Sequence, residues 1–493
     1  MLVLVGAASG CGSDEDPGST PVSTAPAPAT PASYTLTINT PTNGAISGAT
    51  SGTSYAAGTS VTLTASTDGS YGVKAWTGDA QSCGASTTCQ ITVNANLSVG
   101  VQFKTVPVGF GAGTTGGQGG TVVTVTTPAE LKAALCGTMS GGQCTDTTPR
   151  IIQVASVIDF RGTEGTQTSQ GCTYSDNSCS VNGKREQILN VSTYCSGKTT
   201  YDITYDAAGP APMRVGSNKT LIGIGANAGI KGKGLMITGG VSNIIVRNLS
   251  ITDINEGVIW AGDAITIDNA SKIWIDHNHI ARIGRQMIVT GWGTAANVTL
   301  SNNFLDGTTD YGHYCDGRHY WTMLLVGENQ SITLIGNKIY NTSGRSPELG
   351  KQSTASSGGT VHLVNNLYDQ NYYMGIRTSD DVLSFIEGNY FTSTGLYFFP
   401  IFKSSGTNNL IYAPLDASVA TANVDCQAKL GRNCASNYAT TSESDFTLNT
   451  TVMPTIHASP ALSTAIGSVR PFGHGTVPSR LNGYVGPQAD PDN

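Results

Sequence analysis

Six short apolar segments that each end in an asparagine recur through the middle of this chain. The asparagines stand 30, 25, 34, 29 and 23 residues apart, at Asn248, Asn278, Asn303, Asn337, Asn366 and Asn389. One turn of a parallel β-helix needs a segment of that length, and asparagines can stack at an inner bend of such a coil. Propeller blades would each need about 40 residues, and the irregular spacing argues against them. The sequence therefore predicts an all-β coil that displays loops of variable length between its strands.

The composition supports a strand-rich fold. Charged residues make up 12% of the 493 residues, well under the roughly 25% that is typical of soluble domains, and there are 61 glycines. Abundant glycine, serine, threonine, asparagine and valine favour strands joined by turns over helices. The net charge of −7 gives no basic surface of the kind that binds nucleic acid, so we expect no nucleic-acid partner.

The 11 cysteines indicate disulfides more than a metal site. Without Cys11, ten cysteines remain, which is enough for five disulfides. Three pairs lie close together in the sequence: Cys83 with Cys89, Cys136 with Cys144, and Cys426 with Cys434. The others are Cys172, Cys179, Cys195 and Cys315. Because no CxxC spacing or cluster of histidines and cysteines suggests zinc, we expect an oxidising compartment.

The N-terminal stretch predicts export and a tether. Residues 1–10 are apolar but too short to span a bilayer, and small residues precede Cys11 as they do in the signal of a bacterial lipoprotein. A simple secretory signal with a chance cysteine is the alternative. We expect a lipoprotein-type signal at 1–11 with lipidation at Cys11, and an extended linker rich in serine, threonine and proline at 12–33. The predicted location is outside the cytoplasm of a bacterium, either secreted or at the cell surface.

A small β module is expected over residues 34–104. Four segments there alternate apolar and polar residues, as half-buried strands do, and turn residues separate them. Trp76 is the candidate for its central core residue, and Cys83 and Cys89 are expected to close a short loop. The segments SYAAGTSV and AWTG resemble the divergent internalin-B-type repeats of bacterial surface proteins. That resemblance implies a spacer or an adhesive module, and no catalytic residue set is visible in it.

The remaining residues, 105–493, are expected to form the β-helix and the elements that cover its ends. The glycine-rich stretch at 108–120 lacks the lysine and the strand–helix context of a phosphate loop, so we interpret it as an entry coil. A short helix is predicted at 127–135, because Thr127 can cap it, a proline follows in the first turn, and Glu130 completes a capping box. Such a helix would cover an open end of the coil.

Three charged residues of the repeat region are candidates for a functional site. Asp263 and Arg285 lie about one coil apart, so they would occupy adjacent turns of one face, and Arg345 follows two coils later. Polar residues that converge on one outer face of a β-helix form a long groove, which suits a linear polymer. A single arginine is usually a solvated surface residue, so the hypothesis depends on the motifs around these three.

These residues lie in motifs that resemble the pectin lyases, relatives of the pectate lyases in one family of polysaccharide lyases. The motifs are, in order, WIDH, ARIGRQ, CDGRHYW and TSGRSP, with further agreement in SNKTLIGIGANAGIKGKGL, ITDIN and WAGDAIT. The resemblance covers about residues 106–470. It implies an all-β fold, a right-handed single-stranded parallel β-helix behind the small N-terminal module. It also implies β-elimination on polygalacturonan, in which the C5 proton of a galacturonate is removed and the C4 glycosidic oxygen is expelled.

Two substitutions favour the branch of this family that acts without calcium. Pectate lyases carry an Asp-Gly-x-x-Asp segment that helps to bind calcium, and the corresponding positions here are Arg285 and Val289. Asp263 alone remains of that acidic cluster, whereas calcium takes about six to eight oxygen ligands. We therefore expect no metal and no cofactor. A methyl ester is neutral and withdraws electrons, so the C5 proton of an esterified galacturonate can be removed without a metal.

The resemblance implies a role for each charged residue. Arg345 matches the family's proton-abstracting arginine, although a guanidinium normally stays protonated in proteins. Burial beside a second cation, Arg285, would lower its proton affinity. Arg285 would stabilise the enolate-like oxygen of the intermediate, and Asp263 would hold Arg285 through a charge-assisted pair.

Aromatic and cationic side chains are the expected substrate contacts. A methylated, partly apolar sugar chain favours aromatic surfaces. The predicted substrate-binding residues are Trp260, Trp321, Arg318, His319 and Lys351. The departures from the family pattern are Tyr194 in place of a tryptophan, Leu324 in place of an aromatic residue, Glu348 where a basic residue is common, and Gly350 in place of a second arginine. Fewer aromatic residues and the added Arg318 predict tolerance of less methylated pectin.

The resemblance also implies how the remaining cysteines pair. Cys172 would pair with Cys195, and Cys179 would pair with Cys315. Together with Cys83–Cys89, Cys136–Cys144 and Cys426–Cys434 this gives five disulfides.

Three alternative functions remain open beside a pectin lyase. A calcium-dependent pectate lyase would need the acids that Arg285 and Val289 replace. A polygalacturonase-like hydrolase needs carboxylates about 5–10 Å apart, and Asp380 with Asp381 is the only adjacent acidic pair of the repeat region. A non-catalytic pectin-binding β-helix would have no reason to keep all three charged residues in their motifs. The favoured hypothesis is a monomeric pectin lyase that acts on methyl-esterified pectin and is anchored to the membrane by a lipid at Cys11.

Overall fold

The computed structural model describes residues 31–67, 71–174, 184–352, 356–379, 381–404, 410–440 and 445–492. The predicted signal at 1–11, the lipidation site at Cys11 and most of the linker at 12–33 lie outside the described residues, as do Cys179 and Asp380. Within the ranges that are described, no helix is both long enough and apolar enough to cross a lipid bilayer.

Two small β-sheets with one shared core form the N-terminal module. Their strands are β1 (Ser33–Ile38), β2 (Ala45–Ser47), β3 (Thr53–Ala56), β4 (Thr59–Ser66), β5 (Tyr71–Gly78), β6 (Thr88–Val93) and β7 (Leu97–Thr105). One sheet has the order β3-β1-β7-β5 and the other β2-β4-β6. Every second residue of β4 and β6 is buried, and the Trp76 indole, 2% exposed, donates a hydrogen bond to the carbonyl of Ser86 at 2.8 Å. The predicted small β module with Trp76 in its core is confirmed.

The β-helix follows the module. Its first strands are β8 (Thr121–Val125), β9 (Met139–Ser140), β10 (Gln143–Cys144), β11 (Arg150–Val154), β12 (Val157–Asp159), β13 (Thr166–Thr173), β14 (Gln187–Leu189), β15 (Tyr201–Asp206), β16 (Met213–Arg214), β17 (Lys219–Gly223), β18 (Gly229–Lys231), β19 (Leu235–Thr238), β20 (Ser242–Arg247), β21 (Ser250–Ile254) and β22 (Val258–Ile259). The later strands are β23 (Ile265–Asp268), β24 (Ala270–Asp276), β25 (His279–Ile283), β26 (Ile288–Thr290), β27 (Ala295–Ser301), β28 (Phe304–Asp306), β29 (Met323–Leu325), β30 (Ser331–Ile335), β31 (Lys338–Tyr340), β32 (Glu348–Leu349), β33 (Gly359–Val364), β34 (Leu367–Thr378), β35 (Val382–Glu387), β36 (Tyr390–Lys403), β37 (Leu410–Tyr412) and β38 (Tyr438–Ala439).

Each complete coil contributes three strands that pair in parallel with those of the next coil. Strands β24, β25 and β26 form one coil, and they pair in turn with β27, β28 and β29. The first strand of each coil belongs to a ten-stranded sheet with the order β37-β35-β33-β30-β27-β24-β20-β17-β11-β8. The other two strands belong to a 15-stranded sheet. The predicted parallel β-helix is confirmed.

An asparagine ladder runs along one bend of the coils. The side-chain oxygen of Asn303 accepts hydrogen bonds from the backbone N–H and the amide of Asn278, at 3.0 and 3.1 Å, and this pattern repeats from coil to coil. The ladder consists of Asn278, Asn303, Asn337, Asn366, Asn389 and Asn437. The prediction was wrong for Asn248, because the strand register places Leu249 opposite Asn278. Asn437 was missed because no apolar strand precedes it in the sequence.

Rows of aliphatic side chains fill the inside of the coil. One row is formed by successive neighbours in the ten-stranded sheet: Val246, Ile275, Leu300, Leu334, Leu363 and Ile386. Each is at most 1% exposed. Burying one such side chain stabilises the fold by about 1.5–3 kcal/mol, and the row therefore supplies much of the cohesion between coils.

Helices pack at the two ends of the chain's β-helix region. The first helix, α1 (Pro128–Leu135), has a capping box between Thr127 and Glu130 and packs against β8, β11 and β16. The predicted helix at 127–135 is therefore confirmed. The later helices are α2 (Val419–Leu430), α3 (Val452–Ala458), α4 (Pro460–Ser468) and α5 (Val477–Leu481). Helices α2, α3 and α4 pack on one another, and α3 also packs against β35 and β37.

Disulfides join cysteines in both parts of the chain. Four bonds are described, Cys83–Cys89, Cys136–Cys144, Cys172–Cys195 and Cys426–Cys434. Cys315 is also disulfide-bonded, and its predicted partner, Cys179, lies outside the described residues.

The C-terminal segment returns to the junction between the module and the β-helix. There the buried Arg247 donates hydrogen bonds to Asp492 and to Asp276, both at 2.7 Å, and to the hydroxyl of Thr105. Burial alone would raise the pKa of Asp276, but His277 and Arg247 hold that pKa well below its usual range. Asp276 and His277 are both fully buried. The acid and the histidine of the WIDH motif therefore serve the structure and lie away from the candidate groove.

Candidate active site

The three predicted charged residues each lie just before a strand of the 15-stranded sheet. Asp263 precedes β23, Arg285 precedes β26, and Arg345 precedes β32. The four strands β23, β26, β29 and β32 are successive neighbours in parallel register. This placement brings the three side chains to one line along the outside of the coils.

Asp263 and Arg285 form a mostly buried ion pair. Nη1 of Arg285 lies 3.6 Å from Oδ2 of Asp263, and the backbone N–H of Gln286 donates to Oδ1 at 2.8 Å. Burial raises the pKa of Asp263, and the charge of Arg285 opposes that rise. Burial also lowers the pKa of Arg285, Asp263 opposes the decrease, and the charge of Arg345 adds to it. With its oxygen turned toward the cluster, the amide of Gln286 accepts from Nη1 of Arg345 at 2.7 Å. Gln286 thus contacts Asp263 through its backbone and Arg345 through its side chain.

Trp260 forms the surface on which Arg285 rests. The Cζ atom of Arg285 lies 3.6 Å from the ring centroid of Trp260, a cation–π contact. The ring of Tyr194 lies 5.7 Å from that of Trp260, and Tyr194 is 48% exposed. Nε of Arg285 and Nε1 of Trp260 are buried and have no hydrogen-bond partner among the residues described. Both N–H groups are therefore unsatisfied donors enclosed at the contact between Arg285 and Trp260.

Arg345 lies between an aromatic wall and an acidic residue. Its Cζ atom is 4.6 Å from the ring centroid of Trp321 and 5.8 Å from that of Tyr320. Its Nε lies 2.7 Å from Oε2 of Glu348, whose other oxygen lies 3.4 Å from Arg377. The departure from the family pattern at Glu348 thus puts a carboxylate beside the expected proton-abstracting group.

His319 supports the backbone of Arg285 from inside the protein. Only 5% of its surface is exposed, and Nε2 donates to the carbonyl of Arg285 at 2.8 Å. Burial lowers the pKa of His319 to about 4, so the ring is neutral near physiological pH. The ring is nearly buried and its donor faces the main chain, and a contact of His319 with the substrate stays a prediction.

A buried pair that the sequence analysis missed fixes Trp321. Nε1 of Trp321 donates to Oε1 of Glu186 at 2.7 Å, and Nδ1 of His313 lies 3.1 Å from Oε2. Burial raises the pKa of Glu186, and the hydrogen bonds from His313 and Trp321 oppose that rise. The only sequence signal was the position of His313, two residues before the CDGRHYW segment. Trp321 is 6% exposed, so it acts as a rigid wall for Arg345 more than as an open platform.

Arg318 and Lys351, the other predicted substrate contacts, are both engaged by neighbouring residues. The Cζ atom of Arg318 lies 5.7 Å from the ring centroid of Tyr372, and its Nε donates to the carbonyl of Gln370 at 3.3 Å. Lys351 forms an ion pair with Asp381 at 2.9 Å. Their contact with a substrate stays a prediction.

The groups around Asp263 do not provide a calcium site. Its partner is a cation, Arg285, and the other substituted position, Val289, is a buried residue of β26 that faces Leu324 of β29 in the sheet. Across the described ranges, no group of three or more histidines, cysteines, aspartates and glutamates could hold a metal ion. One carboxylate paired with a guanidinium lacks the oxygen ligands that calcium takes.

Comparisons with known proteins give one family for the β-helix region and another for the N-terminal module. Residues 172–470 match the family model described as pectate lyase, and residues 34–107 match the divergent InlB B-repeat domain. The chain is 40% identical over 341 residues to the "Probable pectin lyase F-1" of Aspergillus terreus, an alignment that covers 69% of this chain and 84% of the relative. It is 43% identical over 288 residues to the "Probable pectin lyase F" of Neosartorya fischeri, which covers 58% of this chain and 71% of the relative.

Solved structures of pectate lyases also align with the chain. One is a pectate lyase from Bacillus sp. N165 in complex with trigalacturonate, with a TM-score of 0.46 and 20% identity over 78% of this chain and 100% of the other. The family model covers more than half of this chain, and the Aspergillus terreus relative is similar over most of its own length. The chain therefore belongs to the pectate lyase family of polysaccharide lyases.

Proposed function

We propose that this protein is a pectin lyase, an enzyme that cleaves methyl-esterified polygalacturonan by β-elimination without calcium. The observation that carries this proposal is the ion pair of Asp263 with Arg285 beside Arg345, where calcium-binding relatives would hold a cluster of acids. The identity of 40% and 43% to relatives named as pectin lyases supports the same substrate class.

A methyl ester on the substrate makes the metal unnecessary. When the C5 proton leaves, negative charge develops at C5 and on the oxygen of the adjacent carbonyl. A free carboxylate would add a second negative charge there, whereas a neutral ester does not. Preorganised donors that face the oxygen on which charge develops lower the barrier. Arg285 suits this role because Asp263 and Trp260 hold its guanidinium in place.

The proposed reaction uses Arg345 as the group that receives the C5 proton. The electron pair of the C5–H bond forms a double bond between C4 and C5, and the bond from C4 to the glycosidic oxygen breaks. The departing oxygen takes up a proton, and one product is a 4,5-unsaturated oligogalacturonate.

The aromatic residues near these arginines suit a methylated sugar chain. Trp260 presents a ring beside Arg285, and the exposed Tyr194 extends this surface toward solvent. Because Tyr194 replaces a larger aromatic residue and Arg318 adds a cation, we expect some tolerance of pectin with fewer methyl esters.

We expect the enzyme to act outside the cytoplasm. The described disulfides are typical of an oxidising compartment, and pectin is a polymer too large to enter cells intact. The division into a signal at 1–11, a linker at 12–33, a module at 34–104 and a lyase domain from 105 stays a prediction. The same holds for the lipid anchor at Cys11, the bacterial origin and the monomeric state, and the two relatives named above are fungal.

One assay separates this proposal from its alternatives. The formation of unsaturated product is followed by ultraviolet absorbance on highly methylated pectin and on polygalacturonate, each with EDTA and with added calcium. We expect activity on methylated pectin that is the same with EDTA and with calcium.

Each other outcome identifies a different function. Activity that requires calcium and prefers polygalacturonate would indicate a pectate lyase. New reducing ends without ultraviolet absorbance would indicate a hydrolase. Binding of pectin without any product would indicate a non-catalytic surface protein.

A further inference from the structure

A pocket of about 500 Å³ lies where the module, the β-helix and the C-terminal segment meet. We call it the seam pocket and define it by Tyr71, Trp274, Arg470, Phe472, Arg480 and Tyr484. Tyr71 comes from β5 of the module, Trp274 comes from β24 of the ten-stranded sheet, and the other four follow α4. The seam pocket is separate from the groove, whose charged residues precede strands of the 15-stranded sheet.

Aromatic rings give the seam pocket flat apolar surfaces with polar edges. The hydroxyls of Tyr71 and Tyr484 lie 3.5 Å apart, one from the module and one from the C-terminal segment. Trp274 uses its Nε1 to donate to the hydroxyl of Ser301 at 2.8 Å, so its ring contributes an apolar edge. Ring faces with hydroxyl groups beside them are suited to a sugar, which has apolar C–H faces and polar rims.

Two arginines make the seam pocket positive. The Cζ atom of Arg480 lies 4.3 Å from the ring centroid of Phe472, which orients its guanidinium. Neither Arg470 nor Arg480 forms an ion pair with a carboxylate of the described residues, and two acids of the same junction, Asp276 and Asp492, are already ion-paired with Arg247. A guanidinium has a planar set of donors that matches a carboxylate, so the charge of this pocket is complementary to an acidic ligand.

We propose that the seam pocket binds the free carboxylate of an unesterified galacturonate unit. A methyl-esterified unit is neutral and would leave both guanidinium charges uncompensated, whereas a free acid would pair with them. The choice of galacturonate rests on the proposed function, while the preference for an acidic sugar rests on the seam pocket alone. A partly esterified polymer carries both kinds of unit. The groove would bind esterified units and the seam pocket would bind free acids of the same polymer. Binding at the second site raises the effective concentration of esterified segments near the groove.

The test measures binding of unesterified trigalacturonate by isothermal titration calorimetry on the full chain. An Arg345→Lys background slows turnover, and a saturating methyl-esterified oligomer occupies the groove. The Arg470→Ala/Arg480→Ala variant is compared with Lys403→Ala/Lys429→Ala, which also removes two positive charges but from side chains outside the seam pocket. We expect the double arginine variant to bind at least about tenfold more weakly and the lysine control to bind as the parent does. Thermal unfolding of both variants checks that they are folded.

Two results would overturn the seam-pocket proposal. One is an unchanged affinity for trigalacturonate in the folded double arginine variant. The other is that a fully methyl-esterified trimer binds the seam pocket as tightly as unesterified trigalacturonate does. Such binding would be detected as a second binding event that is lost in the double arginine variant. Failure of the proposed lyase reaction is a separate outcome, because activity is assayed on the enzyme with Arg345 intact. With Arg345 restored, the double arginine variant should cleave a short, fully esterified oligomer at the parental rate.

Discussion

The guanidinium of Arg345 is held from several directions at once. Its Cζ lies 4.6 Å from the ring centroid of Trp321, and its Nε lies 2.7 Å from Glu348. With its oxygen turned toward the cluster, the Gln286 amide accepts from its Nη1. A lysine at this position would keep the positive charge but lose the planar stacking and the second donor. The role of Arg345 can therefore be separated from its charge.

We expect Arg345→Lys to lower kcat by about 100-fold to 10,000-fold, which is the usual contribution of a positioned general base. The KM for methylated pectin should change little, because the predicted substrate contacts of Trp260 would remain. The measurement is initial-rate kinetics of unsaturated product formation. Arg377→Lys is the matched control, since Arg377 contacts the same Glu348 from the other side at 3.4 Å. Activity of the Arg345→Lys variant within tenfold of the parent would remove Arg345 from the proposed mechanism.

His319 gives a pH-dependent contribution to stability. Its pKa is lowered by burial from 6.5 to about 4, so the unfolded chain takes up a proton at a higher pH than the folded protein does. The contribution of the neutral ring is fully present above pH 6.5, and it is lost as the pH falls through 4. The shift corresponds to about 3 kcal/mol in total.

A variant without the imidazole isolates that contribution. We expect the difference in the free energy of unfolding between the parent and His319→Asn to shrink as the pH falls from about 7 to about 4. Urea unfolding at several pH values measures this difference. A difference that stays constant over the whole range would show that His319 is not held neutral in the fold.

The sequence predicted some of these residues and could not predict others. Asp263, Arg285 and Arg345 lie inside long motifs, and coil spacing placed the first two on adjacent turns and Arg345 two coils later. Glu186 and His313 lie in no such motif, and 127 positions separate them in the sequence. Their pairing joins the residue just before β14 to the loop between β28 and β29, so no local pattern could reveal it.

At the scale of elements, the asparagine ladder shows how far periodicity can be used. Five of the six predicted asparagines lie in the ladder, because each follows an apolar strand by a fixed number of residues. The spacing that includes Asn248 is one residue too long, and Leu249 takes the ladder position there. An apolar side chain can occupy this bend where a neighbouring coil satisfies the backbone, so the residue type alone does not decide membership.

Loss of one ladder asparagine should destabilise the coil stack. In Asn303→Ala, the backbone N–H and the amide of Asn278 lose their acceptor, and the carbonyl of Ile275 loses its donor. The amide of Asn278 keeps its bond to the carbonyl of Val246, so two groups lose the partner named here. Leaving a buried polar group unpaired costs about 1–3 kcal/mol, so we expect a loss of about 2–6 kcal/mol in the free energy of unfolding. Denaturant unfolding measures it, with the exposed Asn190→Ala as the control that should change stability by less than about 0.5 kcal/mol. Equal stability of the two variants would contradict a structural role for the ladder.

At the scale of the whole molecule, the strand pattern predicted a module and a β-helix but not their contact. Arg247 lies in an ordinary strand of the β-helix, yet it contacts Thr105 at the end of the module and Asp492 near the end of the chain, 142 and 245 positions away. Such a junction depends on how folded elements pack against one another. The spacing of apolar residues along the sequence does not predict that packing. The same junction forms the walls of the seam pocket, so a change that loosens the junction should also weaken ligand binding in the pocket.

Asp492→Ala tests this coupling, because it removes the carboxylate that pairs with Arg247 and with Lys74 of the module. The buried pair of Arg247 with Asp276 and its hydrogen bond to the carbonyl of Pro491 remain. We expect faster limited proteolysis of the chain just after β7, together with weaker binding of trigalacturonate, since Tyr71 and Tyr484 lie on opposite sides of the junction. Turnover of a short methyl-esterified oligomer should stay within about twofold of the parent, because the groove residues keep their contacts. Asp202→Ala is the control, an exposed acid that contacts Gln170 within the β-helix region. If Asp492→Ala is cleaved by protease at the parental rate and binds trigalacturonate with the parental affinity, the module is held by its other contacts. If its turnover of the oligomer is lost, the junction supports the groove as well.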